Sequence, residues 1–147
     1  MDPIESPIPY ELTTFPEDRF QVMAPLGQGG MGKVFLVRDR HLNRKVALKV
    51  LKDPEDPGAA ARLLAEAQFQ ASLDHPHIVR VLEVGLWRRQ LCLVMEHIDG
   101  PSLDTLAPAL TVRERAQLIA QAARGIHAAH SKGILHRDLK PQNLLVE

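Results

Sequence analysis

Cysteine is nearly absent from this sequence. Of 147 residues only Cys92 carries a thiol, so no disulfide can form within the chain. It sits inside the apolar run Leu91-Cys92-Leu93-Val94, where a buried thiol in a reducing compartment is the expected state rather than a reactive one. An excess of either charge sign is missing as well. Lys plus Arg number 18 and Asp plus Glu number 18, so no overall basic field draws the chain to nucleic acid or to an anionic membrane. No run approaches the roughly 18 apolar residues that a membrane span requires. The opening Met1-Asp2-Pro3-Ile4-Glu5-Ser6-Pro7 has neither the basic start nor the apolar stretch of a secretory signal. No internal repeat is visible. These absences point to a cytoplasmic chain whose phosphate chemistry, if any, rests on local placement of charge.

What is present suits one globular domain of modest core, with 45% apolar residues. Residues 1–18 hold Pro3, Pro7, Pro9 and Pro16 and little periodicity, which reads as a tail. From Phe20 to Leu36 two apolar runs flank Gly27-Gln28-Gly29-Gly30-Met31-Gly32, the pattern of strand, glycine turn, strand. Residues 45–51 alternate, with Val46, Leu48 and Val50 on one face and Ala47, Lys49 and Leu51 on the other. Helix formers fill Ala59 to Leu73, placing Leu63, Glu66 and Gln70 on one face. Further strands are expected near Ile78 to Val84 and Leu91 to Met95, and Asp99-Gly100-Pro101 reads as a joint. Thr111 and Glu114 make a capping box for a helix of about 20 residues, with Val112, Ala116, Ile119, Ala123 and Ile126 on one face and Gly133 as its C-cap.

The glycine motif alone is a weak signal, since a tight hairpin also explains it. A dinucleotide-binding turn would lead into a helix, whereas Lys33-Val34-Phe35-Leu36-Val37 continues as a strand. Bare amides in such a hairpin can approach phosphates, and Val34 beyond them can cover a base. Lys49 is a cation on a half-buried strand, either matched by a counter-charge or reaching to solvent. Small Ala47 beside it leaves room for a flat ring. Glu66, amid alanines and leucine, offers the counter-charge or is an ordinary exposed glutamate. His136-Arg137-Asp138-Leu139-Lys140-Pro141-Gln142-Asn143 is more specific. It is either a solvated loop or a constellation in which Asp138 accepts from a hydroxyl, Lys140 neutralises phosphate charge and Asn143 offers oxygen to a hard cation.

Taken in order, the glycine loop, Val46-Ala47-Leu48-Lys49, helical Glu66 and the His136–Asn143 segment resemble the eukaryotic-like serine/threonine protein kinases, particularly the bacterial branch, over about residues 19–147. The resemblance implies an α+β protein-kinase-like fold. A five-stranded antiparallel N-lobe sheet with one helix and a hinge would span 19–99, and the beginning of a helical C-lobe 100–147. It implies ATP and Mg2+ as cofactors and Ser/Thr of a protein as the acceptor. Leu26, Gly27, Gly29, Gly32, Val34, Ala47, Lys49, Glu66, Met95 (gatekeeper), Glu96, Ile98 and Leu145 would then line the nucleotide. Asp138 would orient the substrate hydroxyl, Lys140 would support the moving phosphoryl group, and Asn143 would bind magnesium. Lys140-Pro141 is typical of serine/threonine specificity, and Arg137 implies control by a phosphorylated activation loop.

Two departures stand out. Gln70 occupies a position that the family usually fills with an apolar side chain of its regulatory spine. The 147 residues stop at Leu144-Leu145-Val146-Glu147, ahead of any Asp-Phe-Gly segment, so the second magnesium-binding aspartate is missing. The expectation is an inactive polypeptide as it stands, with the long helix exposing its apolar face. The alternative is a pseudokinase-like nucleotide-binding scaffold or a non-functional fragment.

Overall fold

Alternation of apolar and polar residues in the first half of the chain dictates strands, and the register between them decides which side chains meet. The computed structural model describes residues 12–29, 32–51, 57–134 and 140–147. Strands β1 (Thr13–Thr14), β2 (Phe20–Gly29), β3 (Gly32–Asp39), β4 (Arg44–Leu51), β5 (Val81–Trp87) and β6 (Gln90–Glu96) form one sheet in the order β1-β5-β6-β4-β3-β2. The five expected strands pair antiparallel, whereas β1 pairs parallel to β5. The sheet therefore has six strands, the extra one drawn from the segment read as a tail.

Residues directly opposite on neighbouring strands point to the same side. Phe35, Leu48 and Val94 are such a row, as are Lys33, Val50 and Cys92. This face carries a core of Phe15, Phe20, Val37, Val46, Leu48, Trp87, Cys92 and Val94. Phe20 meets both Phe15 and Trp87 edge-on, at centroid distances of 5.5 and 5.7 Å. The opposite face carries Ala47, Leu51, Leu93 and Met95, all buried. The alternation expected within 45–51 is the one observed.

Helix α1 (Pro57–Ala71) packs against β5 and buries Leu64 and Ala67. It begins and ends two residues earlier than the helix expected over 59–73. Strand β5 begins at Val81 rather than near Ile78. The preceding residues turn, with the Ile78 amide donating to His75 O at 3.1 Å. The His77 carbonyl and the Ile78 side chain lie against Gly125 of a later helix, so the apolar character of Ile78 serves that contact.

The chain divides into a sheet unit (residues to Ser72 with Val81–His97) and a helical unit (Leu73–Arg80 with Ile98–Glu147). In the helical unit, α2 (Leu103–Leu106) and a short 3-10 turn precede α3 (Val112–Ser131). The capping box is formed. The Glu114 amide donates to Thr111 Oγ1 at 3.1 Å and the Thr111 amide donates to Glu114 Oε2 at 2.7 Å. At the other end Gly133, at φ +77°, closes the helix: its amide donates to His130 O and that of Ile134 to Ala129 O. Val112 is 80% and Ile119 51% exposed, and Gly125 is the buried residue of α3. No helix among the described residues is long and apolar enough to cross a membrane.

Candidate active site

The glycine-rich segment forms the tip of the β2–β3 hairpin, with Gly27 opposite Val34 and Gly29 opposite Gly32. Gly32 stands at φ +145°, and a Cβ there would lie 2.1 Å from Val50 O, so the backbone itself demands glycine. Gly27 differs. A Cβ there would meet nothing within 4 Å, so packing does not explain the missing side chain. Gly30 and Met31 lie outside the described residues.

From that hairpin the register carries a continuous patch across three strands. Val34 lies opposite Lys49, Leu36 opposite Ala47, Ala47 opposite Met95 and Lys49 opposite Leu93. Val34, Ala47, Lys49 and Met95 thus share one face, with Ala47 and Met95 buried and Val34 and Lys49 half-buried. Leu26 falls at the bulge between Pro25 and Gly27, is exposed, and lines an open groove with Pro25, Gly27, Lys33 and Phe35. Lys33 and Phe35 belong to the other face, so this groove is distinct from the Val34–Ala47–Lys49 patch. Glu66 lies within α1, but its side chain, like all of Asp138, falls outside the described residues. Glu96 ends β6 in the sheet unit.

In the helical unit Pro141–Asn143 makes a single 3-10 turn, closed by the Asn143 amide donating to Lys140 O at 2.9 Å. The following residues pair with the segment after Ile98. Leu103 N donates to Leu144 O at 2.7 Å, Val146 N donates to Pro101 O at 2.9 Å, and Ser102 and Leu145 form an antiparallel bridge. Asn143, Leu145 and Lys140 are exposed, and Ile98 is half-buried. Sequence reasoning took Asp99-Gly100-Pro101 for a joint and missed that Pro101–Leu103 pair with Leu144–Val146.

It also missed a charge cluster at the far end of the sheet. Arg19 (7% exposed) donates to Asp39 (0% exposed) through Nε at 3.1 Å and Nη2 at 2.9 Å, and reaches Glu83 at 2.5 Å. Arg44 Nε and the amides of His41 and Leu42 also donate to Asp39. Burial alone would push the Asp39 carboxyl up, but the hydrogen bonds from Arg19 and the two amides outweigh it and hold the carboxyl below its ordinary range. The same pairing, foremost with Asp39, raises the Arg19 guanidinium despite its burial. Burial pushes the Cys92 thiol up to about 11, so it stays protonated near neutral pH, as an inert core residue should.

Comparison with known proteins gives this geometry its context. Residues 20–147 match the family model described as protein kinase domain. The chain belongs to the protein kinase family. It is 44% identical over 134 residues to the serine/threonine-protein kinase pkn2 of Myxococcus xanthus, covering 88% of this chain and 16% of that one. It is 37% identical over 138 residues to the serine/threonine-protein kinase PknB of Mycobacterium tuberculosis, covering 88% and 22%. Among solved structures, the kinase domain of PknI from M. tuberculosis superposes with a TM-score of 0.71 at 32% identity, over 87% of this chain and 54% of that one. The chain thus spans about a fifth of these curated relatives' lengths. The kinase-family match begins at Phe20, which leaves β1, Phe15 and Arg19 ahead of it.

Proposed function

We propose that these residues are the nucleotide-binding part and catalytic loop of an ATP-dependent serine/threonine protein kinase. The observation that carries this reading is the β3–β4–β6 register, which sets Val34, Ala47, Lys49 and Met95 on one face beside a glycine hairpin. The fit to a nucleotide is chemical. Ala47 leaves space for a purine, and Gly27 lacks a side chain where no packing forbids one. Lys49 brings a cation to the same face for the alpha and beta phosphates, with Glu66 as its counter-charge. The family resemblance adds the backbone groups of Glu96 and Ile98 and the side chain of Leu145 to the residues proposed for adenine. Asp138 takes the hydrogen bond of the acceptor Ser or Thr hydroxyl, and Lys140 supports the transferring group. Asn143 offers one side-chain oxygen to a magnesium ion, whose chemistry when bound is to neutralise phosphate charge.

One oxygen is a poor clamp for a cation that prefers six. These 147 residues on their own are therefore expected to hold ATP weakly and to transfer no phosphate above background. That favours keeping a nucleotide-binding scaffold as the second reading for this stretch. Calorimetric ATP titration paired with radiolabelled phosphate transfer tests both. ATP binding without transfer is the expected result. No binding at all would remove the nucleotide reading, and transfer that Asp138→Asn abolishes would overturn the argument from the single oxygen.

A further inference from the structure

The strand that carries the glycines is held in the sheet from one side. β2 is the edge of the sheet, paired with β3 alone, and its register slips twice, between Val22 and Ala24 and between Pro25 and Gly27. Val22, Met23 and Leu26 are about half exposed. Of the described side chains from Phe20 to Gly27, Phe20 is the buried one. A bulged edge strand with one apolar anchor is the part of a sheet most prone to fray and to change register.

That anchor is built by residues ahead of the family match. Phe15 is buried, packs edge-on against Phe20, and its amide donates to Leu86 O at 2.7 Å. Thr13 and Thr14 lie parallel alongside β5, where Gly85 admits them: a Cβ on Gly85 would lie 2.5 Å from Thr13 O and 2.6 Å from the Phe15 ring. Trp87 Nε1 donates to Glu17 O at 3.2 Å. Arg19 is clasped by Asp39 and Glu83, and Arg40 N donates to its carbonyl at 2.8 Å. Residues 13–19 thus run from β5 to the first residue of β2, pinned at each step.

We infer that this segment is a strap that positions the glycine hairpin, with Phe15 as its positioning residue acting through Phe20. The inference rests on the nucleotide reading for its consequence, though not for its mechanics. Docking of the strap holds the Phe20↔Asp39 end of β2 in register, and the hairpin tip inherits that register through the β2–β3 ladder. Loosening the strap would leave the Val34–Ala47–Lys49 patch in place while freeing the phosphate-facing amides.

Amide hydrogen exchange on the 147-residue chain tests the mechanics without nucleotide. Phe15→Ala should raise exchange over 21–29 by about tenfold or more relative to 46–50 and 91–95, and Phe15→Leu should restore most of the protection. Val94→Ala, a cavity in the same core, serves as the comparison at matched loss of thermal stability. It should loosen the three regions alike. Equal loosening of β2 by both cavities would overturn the strap. If Phe15→Ala does not fold, the milder Phe15→Leu is read against Val94→Ala in the same way. An ATP titration then separates the two readings. Selective loosening in a chain that binds no ATP would leave the strap standing and remove the nucleotide assignment. ATP binding unchanged by a selectively loosened β2 would refute the positioning role.

Discussion

The sheet unit and the helical unit are built on different physics. The sheet unit buries apolar side chains on both faces of its central strands, from Val37, Leu48 and Val94 on one to Ala47, Leu93 and Met95 on the other. In the helical unit only Leu73 and Leu103 among the described apolar residues are buried, while α3 leaves Val112 and Ile119 open. Backbone closure does much of the holding there, through the Thr111–Glu114 box, the Gly133 cap and the Leu144–Leu103 pairing. A unit with its own core loses stability when any core residue is cut. A unit held by caps and backbone pairs responds locally, one element at a time.

Substitutions sharpen that contrast, and the largest effect belongs to the buried charges of the sheet unit. Asp39→Ala leaves Arg19 buried without its main partner, at about 3–5 kcal/mol of unfolding free energy, read by denaturant titration. The pH dependence follows from the same carboxyl. Its folded-state pKa lies below the ordinary carboxylate value, so its contribution is complete above that value and is lost as pH falls through the folded pKa. Wild type should therefore lose stability on acidification over that low range more steeply than Asp39→Asn.

Next comes Gly32→Ala, which meets Val50 O and an unfavourable φ together, at about 2 kcal/mol or more. Thr111→Ala should cost about 1 kcal/mol, confined to the first turns of α3 by hydrogen exchange, with the sheet unit's protection unchanged. The smallest effect is Val112→Ser, within about 0.5 kcal/mol. A cost above about 2 kcal/mol would mean that α3 is covered in solution and would break the comparison.

The features legible in the sequence were those set locally. Strand parity at Val46–Leu51, the capping box at Thr111 and the C-cap at Gly133 are each decided by neighbours a few residues away, and each appears as expected. What escaped reading depends on distant partners. Thr13 pairs with Gly85, and nothing in Leu12-Thr13-Thr14-Phe15-Pro16 announces a strand that another part of the chain supplies. Ile78 looked like the start of β5 because an apolar residue in an apolar run carries no mark of the element it packs on. Asp39 stands between two arginines in the sequence, yet it is the most buried carboxylate described, because its partner Arg19 stands twenty residues upstream. In the candidate site, Val34, Ala47, Lys49 and Met95 were named from sequence and the register sets them on one face. The pairing of Leu145 with Ser102 needed coordinates.

The proposed kinase function requires one face of this sheet, and not the other, to receive the nucleotide phosphates. Two lysines test it directly, because Lys49 lies on the Ala47 face and Lys33 on the Phe35 face of the same pair of strands. Each becomes Met with the loss of one positive charge, which holds the change in net charge constant. Calorimetric titration with ATP should show Lys49→Met weakening binding by about tenfold or more, the scale of one lost charge-assisted phosphate contact, with Lys33→Met close to wild type. Equal affinity for Lys49→Met and wild type, or equal loss from both substitutions, would contradict the account.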